Sequence, residues 1–148
     1  MRVILVVRAI LISGLSRLMY DLIDRPVADL PPFERFLLNA TRAWVHALTL
    51  AGAPQAATAG GFADRGGEDA ATAFDAAMRV LDQGSTETLV FQRPCHSTVE
   101  ETEAVVIALW RLVRDDRIAP ARAAAAALVG GQAGALVSAM VRAAGRLG

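Results

Sequence analysis

Lysine is absent from this 148-residue chain, so all 15 of its basic residues are arginine. Fifteen acidic residues balance them, and the formal net charge is zero. No broad positive field is available to hold a polyanion, which argues against nucleic-acid binding. Cysteine occurs once, at Cys95, so an internal disulfide is excluded. Spaced cysteine or histidine pairs of the kind that bind zinc are also missing. Aromatic residues are only 5% of the chain, and much of the 54% hydrophobic content is alanine, which favours helix and packs thinly. The glycine pairs Gly60-Gly61 and Gly66-Gly67 lack the strand, lysine and hydroxyl of a phosphate loop. No cofactor is expected.

The first segment, MRVILVVRAILISGLSRLMYDLIDRP, is apolar over residues 3–12 except for Arg8. That run is short of the ~20 apolar residues of a membrane-spanning helix. It has no A-x-A cleavage site, and Arg8 interrupts the apolar middle a signal peptide needs. Arg2, Arg8 and Arg17 spread around a helix rather than along one face, so membrane-surface binding through residues 1–23 is a weak alternative. Residues 3–7, VILVV, suit a buried strand but have no evident partner strand. Residues 1–28 are therefore read as an N-terminal apolar segment: an extra helix that closes the core, or a translated leader before a start at Met19. Residues 29–148 form the helical domain. Heavy arginine and alanine use suits a GC-rich bacterial gene, and a cytoplasmic location is expected.

Several amphipathic segments follow. Apolar residues Phe33, Leu37, Ala40, Trp44 and Leu48 recur at helical spacing and predict a helix from about Phe33 to Leu50. Its predicted polar face carries Arg35, Asn39, Arg42, His46 and Thr49, a solvated stripe or a partner-facing strip led by the two arginines. Residues 51–67 read as a loop, with a short helix near Gln55 to Ala59. A second helix is expected over about Glu68 to Gln83, with Phe74, Ala77, Met78 and Leu81 inward and Thr72, Asp75, Arg79 and Asp82 outward. Residues 85–92, STETLVFQ, read as an extended connection that buries Leu89 and Phe91.

The stretch RPCHSTVEETEA, residues 93–104, is the most chemically loaded. Pro94 favours an extended approach, and Ser97-x-x-Glu100 and Thr98-x-x-Glu101 both have capping-box spacing. Glu100, Glu101 and Glu103 suit the first turn of a helix, and Arg111 and Arg114 its last. Helix initiation thus explains all but Cys95 and His96. A thiol beside a helix N-terminus can be held as a reactive thiolate, although the three glutamates oppose this. The plainer expectation is a buried cysteine acting as a small hydrophobe. Asp115-Asp116-Arg117 ends that helix and Pro120 opens the next. Gly130-Gly131 interrupts an alanine-rich run. A last helix over about Gln132 to Leu147 turns Leu136, Met140, Ala143 and Leu147 inward. Gly130 and Gly134 have GxxxG spacing, but Arg142 and Arg146 follow, and the apolar length reads as inadequate for a membrane.

Taken in order, FERFLLNATRAWVHALTLAGAPQAA, FDAAMRVLDQG, STETLVFQRPCHSTVEETEAVVIAL and the alanine-rich pair resemble an uncharacterised family of small helical alphaproteobacterial proteins. That family is classed as a domain of unknown function. The resemblance covers residues 30–147 and is carried most by RPCHSTVEE. The family's cluster has more than one cysteine. Here Cys95 stands alone beside His96, which puts a shared metal or redox role in doubt.

The chain is therefore expected to be all-α, a single irregular antiparallel bundle of four to six helices. A non-enzymatic interaction or regulatory module is the leading reading, homo-oligomeric or with a protein partner, because no catalytic constellation is visible. The alternative is a thiol-based redox sensor or metal binder centred on Cys95 and His96. Cys95 is the candidate reactive thiol; His96, His46, Arg35 and Arg42 are candidate ligand or surface residues.

Overall fold

The computed structural model describes residues 16–86 and 88–147. The expectations for residues 1–15, including a strand at 3–7, lie outside the described residues. The described chain is all-α. Helix α1 spans Ser16–Leu22, α2 Pro32–Thr49, α3 Pro54–Ala63, α4 Gly67–Gly84, α5 Glu101–Arg114, α6 Ile118–Val129 and α7 Ala133–Leu147. Short 3-10 turns occupy Val27–Asp29 and Gly130–Gln132. Among the described residues the only β feature is an isolated bridge between Pro26 and Thr98.

Proline opens α2 and α3 in their first turn, where its missing N–H costs nothing. Helix α5 sits at the centre. Thr102 through Trp110 are all buried, so this helix is covered on every side rather than along one stripe. It contacts α1, α2, α6 and α7, while α4 and α7 pack extensively beside it. Met19 and Leu22 of α1 are 1% and 0% exposed, so the described part of the N-terminal segment belongs to the same hydrophobic cluster as the rest.

The few aromatic side chains are concentrated where they do most. Phe36 meets Phe62 edge-on at 5.0 Å, Phe62 meets Phe74 at 5.1 Å, and Phe74 stacks on Trp110 at 5.9 Å. This chain of rings ties α2, α3, α4 and α5 together. It also corrects the reading of residues 51–67. Ten of them form α3, longer than the short helix expected, because burying Phe62 at 0% exposure stabilises a turn-rich, small-residue segment as helix.

Two residues expected on polar faces are buried instead. Arg42 is 0% exposed and Asp75 7%, because each has a charged or polar partner on another element. Leu48, expected inward, is 38% exposed, because the last turn of α2 runs past the edge of the core. The stretch Ile118–Leu147 also needs restating. Counted through Gly130, it is long and apolar enough to cross a membrane by length and composition. Its best 18-residue window has a mean hydropathy of 1.6, and 44% of that window is buried. Core helices of water-soluble proteins meet the same criterion.

Candidate functional site

The loop carrying Cys95 and His96 is built from beneath by one buried ion pair. Arg42 Nε donates to Glu103 Oε2 at 2.8 Å and Nη2 to Glu103 Oε1 at 2.8 Å, with neither side chain exposed. This two-pronged fit is the geometry guanidinium and carboxylate prefer. The remaining donors reach the loop: Nη1 donates to the His96 carbonyl at 2.7 Å and Nη2 to the Thr98 carbonyl at 2.8 Å. Glu103 in turn accepts the backbone N–H of Gln92 at 3.0 Å and of Glu100 at 3.0 Å. On its other side the loop pairs with residues 24–27. Asp24 N–H donates to the Val99 carbonyl at 2.9 Å, and Val27 N–H to the Ser97 carbonyl at 2.8 Å.

This arrangement corrects the expected cap. Glu100, not Ser97 or Thr98, is the N-cap of α5, in a capping box with Glu103. Ser97 and Thr98 are committed to the pairing with residues 24–27, so the helix starts later than their hydroxyls suggested. The 93–96 turn closes with His96 N–H donating to the Arg93 carbonyl at 3.0 Å, with Pro94 at the second position that proline favours. Cys95 occupies the third position and is exposed, which overturns the expectation of a buried cysteine. A tight turn with its backbone tied down from below leaves no core for the thiol to enter. His96 Nε2 lies 3.3 Å from Thr98 Oγ1 and 3.4 Å from Glu100 Oε1.

The other candidates are scattered. Arg35 is exposed and reaches the Ala28 carbonyl at 3.5 Å. His46 is exposed on the last turn of α2. Of the five, only Arg42 and His96 are joined, and through the His96 backbone. Among the described residues no group of three or more His, Cys, Asp or Glu side chains is placed to hold a metal ion. The expected capping of α5 pointed to the right place, but the residue that organises it, Glu103, was read only as first-turn charge. Its place at the head of the apolar run AVVIALW was the available signal, since a helix buried all round leaves no solvent for a carboxylate.

A groove of about 440 Å³ lies between the C-terminal halves of α2 and α4 and the extended connection after α4. Its walls are Trp44 and Leu48 from α2, Met78 and Leu81 from α4, and Leu89 and Phe91 from the connection. Trp44 is locked in place, its indole N–H donating to Asp75 Oδ1 at 2.8 Å. Asp75 Oδ2 accepts Arg79 Nε at 2.9 Å, and the Arg79 guanidinium lies 5.9 Å from the centre of the Trp44 indole. Asp82 is the one charged side chain lining the groove among the described residues. Such a volume, with polar and apolar surface in about equal parts, is of the size that receives a small ligand or a few side chains. Sequence reading missed the groove because its three walls come from segments far apart in the chain.

Comparison with known proteins returns nothing: no family model, no curated protein and no solved structure matches the chain.

Proposed function

We propose that the protein is a non-enzymatic helical interaction module that works through the groove between α2 and α4. One observation carries this reading: large apolar side chains are left uncovered around a preformed groove. Leu48 lines it at 38% exposure, Leu50 follows two residues later at 68%, and Val90, between two lining residues, is 53% exposed. Of the five large apolar side chains exposed among the described residues, these three line the groove or lie within two residues of one that does, and uncovered apolar surface beside a groove is a common mark of a contact site. Among the described residues no nucleophile is hydrogen-bonded to a base at the groove, and this reading is accordingly one of binding. Self-association through the same surface would satisfy this reading as well.

The test compares the wild-type chain with Leu48→Glu and Val90→Glu, whose side chains are already in solvent and whose helix content is expected to stay unchanged. A partner recovered with the wild type is purified, and its affinity is measured against all three proteins. Self-association is followed by light scattering. Binding or self-association should fall by at least roughly tenfold in Leu48→Glu, which lines the groove, and by less in Val90→Glu beside it. Undiminished binding in Leu48→Glu would sink the proposal.

The exposure of Cys95 favours a second reading, thiol chemistry at the tip of the 93–96 turn. Reversible oxidation of Cys95 in cells under peroxide, absent in Cys95→Ser, would support it. A thiol that stays reduced under those conditions would remove it.

A further inference from the structure

We propose that the groove between α2 and α4 takes a partner's basic side chain, set beside Asp82, together with the large apolar side chains that flank it. This inference rests on the reading of the groove as a contact site and names the chemistry of what enters it.

Charge in the groove has one sign. Asp82 is the one charged side chain lining it among the described residues. It stands in the last turn of α4, which carries no basic residue. No hydrogen bond or ion pair holds its carboxylate among the described residues. The C-terminal halves of α2 and α4 both line the groove, and the C-terminal end of a helix carries partial negative charge. The nearby cations do not offset this. Arg79, on the same helix as Asp82, is paired with Asp75 at 2.9 Å, so their charges cancel. His46, in the last turn of α2, does not line the groove. A positive group is the electrostatic complement of such a place, and an acidic segment is repelled.

The rest of the lining says how that positive group is carried. Trp44, Met78 and Leu81 are almost fully buried and form the inner wall, while Leu48 and Asp82 are exposed at the rim. An arginine or lysine lays its methylene stem along apolar surface and keeps its charged end in water. Its stem would lie against the inner wall and its charge would reach Asp82. A groove of about 440 Å³ leaves room beside it for a flanking apolar side chain. Because Asp82 is exposed, the ion pair contributes little to affinity. Apolar contact supplies most of the binding, and the charge selects among partners.

The test titrates the uniformly 15N-labelled full chain with the capped tripeptide acetyl-Leu-Arg-Leu amide. The expected result is a saturable shift of the Trp44 indole N–H and of the amides of Leu48 and Asp82. The Trp110 indole, stacked on Phe74 in the core, should stay in place. Exchanging the peptide's arginine for citrulline, which keeps the shape and removes the charge, should weaken binding by roughly 2–5-fold. Asp82→Asn should weaken the arginine peptide by a similar factor and leave the citrulline peptide unchanged. Added salt should likewise weaken only the arginine peptide. Equal binding of the arginine, citrulline and glutamate peptides would overturn the basic partner while leaving the contact-site reading intact. The same shifts from acetyl-arginine amide alone would make the groove a site for a small cation and overturn the partner segment. Trp44 shifts that grow with protein concentration before any peptide is added would seat a second copy there and overturn a separate partner. No shift with any peptide would refute the proposal, while the Leu48→Glu comparison would still decide the wider reading.

Discussion

Arg42 shows how much one side chain can organise. Its three guanidinium nitrogens all make hydrogen bonds, two of them to loop carbonyls and two to a carboxylate on the central helix. Arg42→Met leaves Glu103 buried without a counter-charge and should cost ~3–5 kcal/mol, read from urea unfolding. The double variant Arg42→Met/Glu103→Met should recover most of that loss, because the unpaired charge is gone. In both proteins the amides of residues 96–99 should exchange with solvent faster than in wild type, since the His96 and Thr98 carbonyls have lost their donors. Recovery of stability without recovery of protection would separate the two jobs of Arg42. Asp75 plays a smaller version of this part. Asp75→Ala leaves the Trp44 indole N–H buried and unpaired, and a loss of ~1–3 kcal/mol is expected. Cys95, at the exposed turn tip, should be alkylated fully in the native protein, at a rate that moderate urea does not raise. Alkylation that waits for unfolding would contradict its exposure.

At the scale of elements, the joint between α3 and α4 is the most constrained. Gly66 has φ of +77°, and an added Cβ would lie 2.6 Å from the Ala70 Cβ and 3.2 Å from the Arg146 carbonyl oxygen. Gly67 has a similar φ, +71°, but open space around it. Gly67→Ala should therefore cost only the backbone strain, ~1–2 kcal/mol. Gly66→Ala should lower the melting temperature distinctly more, because its Cβ would run into Ala70 of α4 and crowd the Arg146 carbonyl at the end of α7. Equal losses would mean that the close approach of α4 and α7 there is soft. Helix α3 depends on its surroundings in another way. Its small residues give little amphipathic pattern, and Phe62 supplies its anchor. Phe62→Ala should cost ~3–5 kcal/mol and lower the helical signal by more than one residue's share.

For the whole molecule, the buried apolar residues form a single cluster that runs from Met19 to Ala144. The ring chain from Phe36 to Trp110 crosses it through four helices. Unfolding should thus be one cooperative transition, with Trp fluorescence and far-UV circular dichroism giving the same midpoint. Two separate transitions would show that α6 and α7 form an independent unit. The alanine content sets helices close together. The few large side chains then decide where gaps remain, and the groove beside Trp44 is one of them.

Composition and periodicity were enough to establish an all-α chain and the approximate positions of its long helices. Alanine favours helix, and a 3.6-residue repeat of apolar positions identifies a buried stripe from local spacing alone. The break at Asp115-Asp116-Arg117 and the inward face of α7 were legible in the same local way. Periodicity could not tell that Arg42 and Asp75, correctly spaced for solvent, face partners 61 and 31 residues away in the chain. Nor could it show that Cys95 stays outside, or that Phe62 makes a helix of a glycine-rich segment. Those outcomes depend on which surfaces meet. A buried charge is stable only where a distant residue supplies the opposite charge, and a groove exists only where three distant segments stop short of one another.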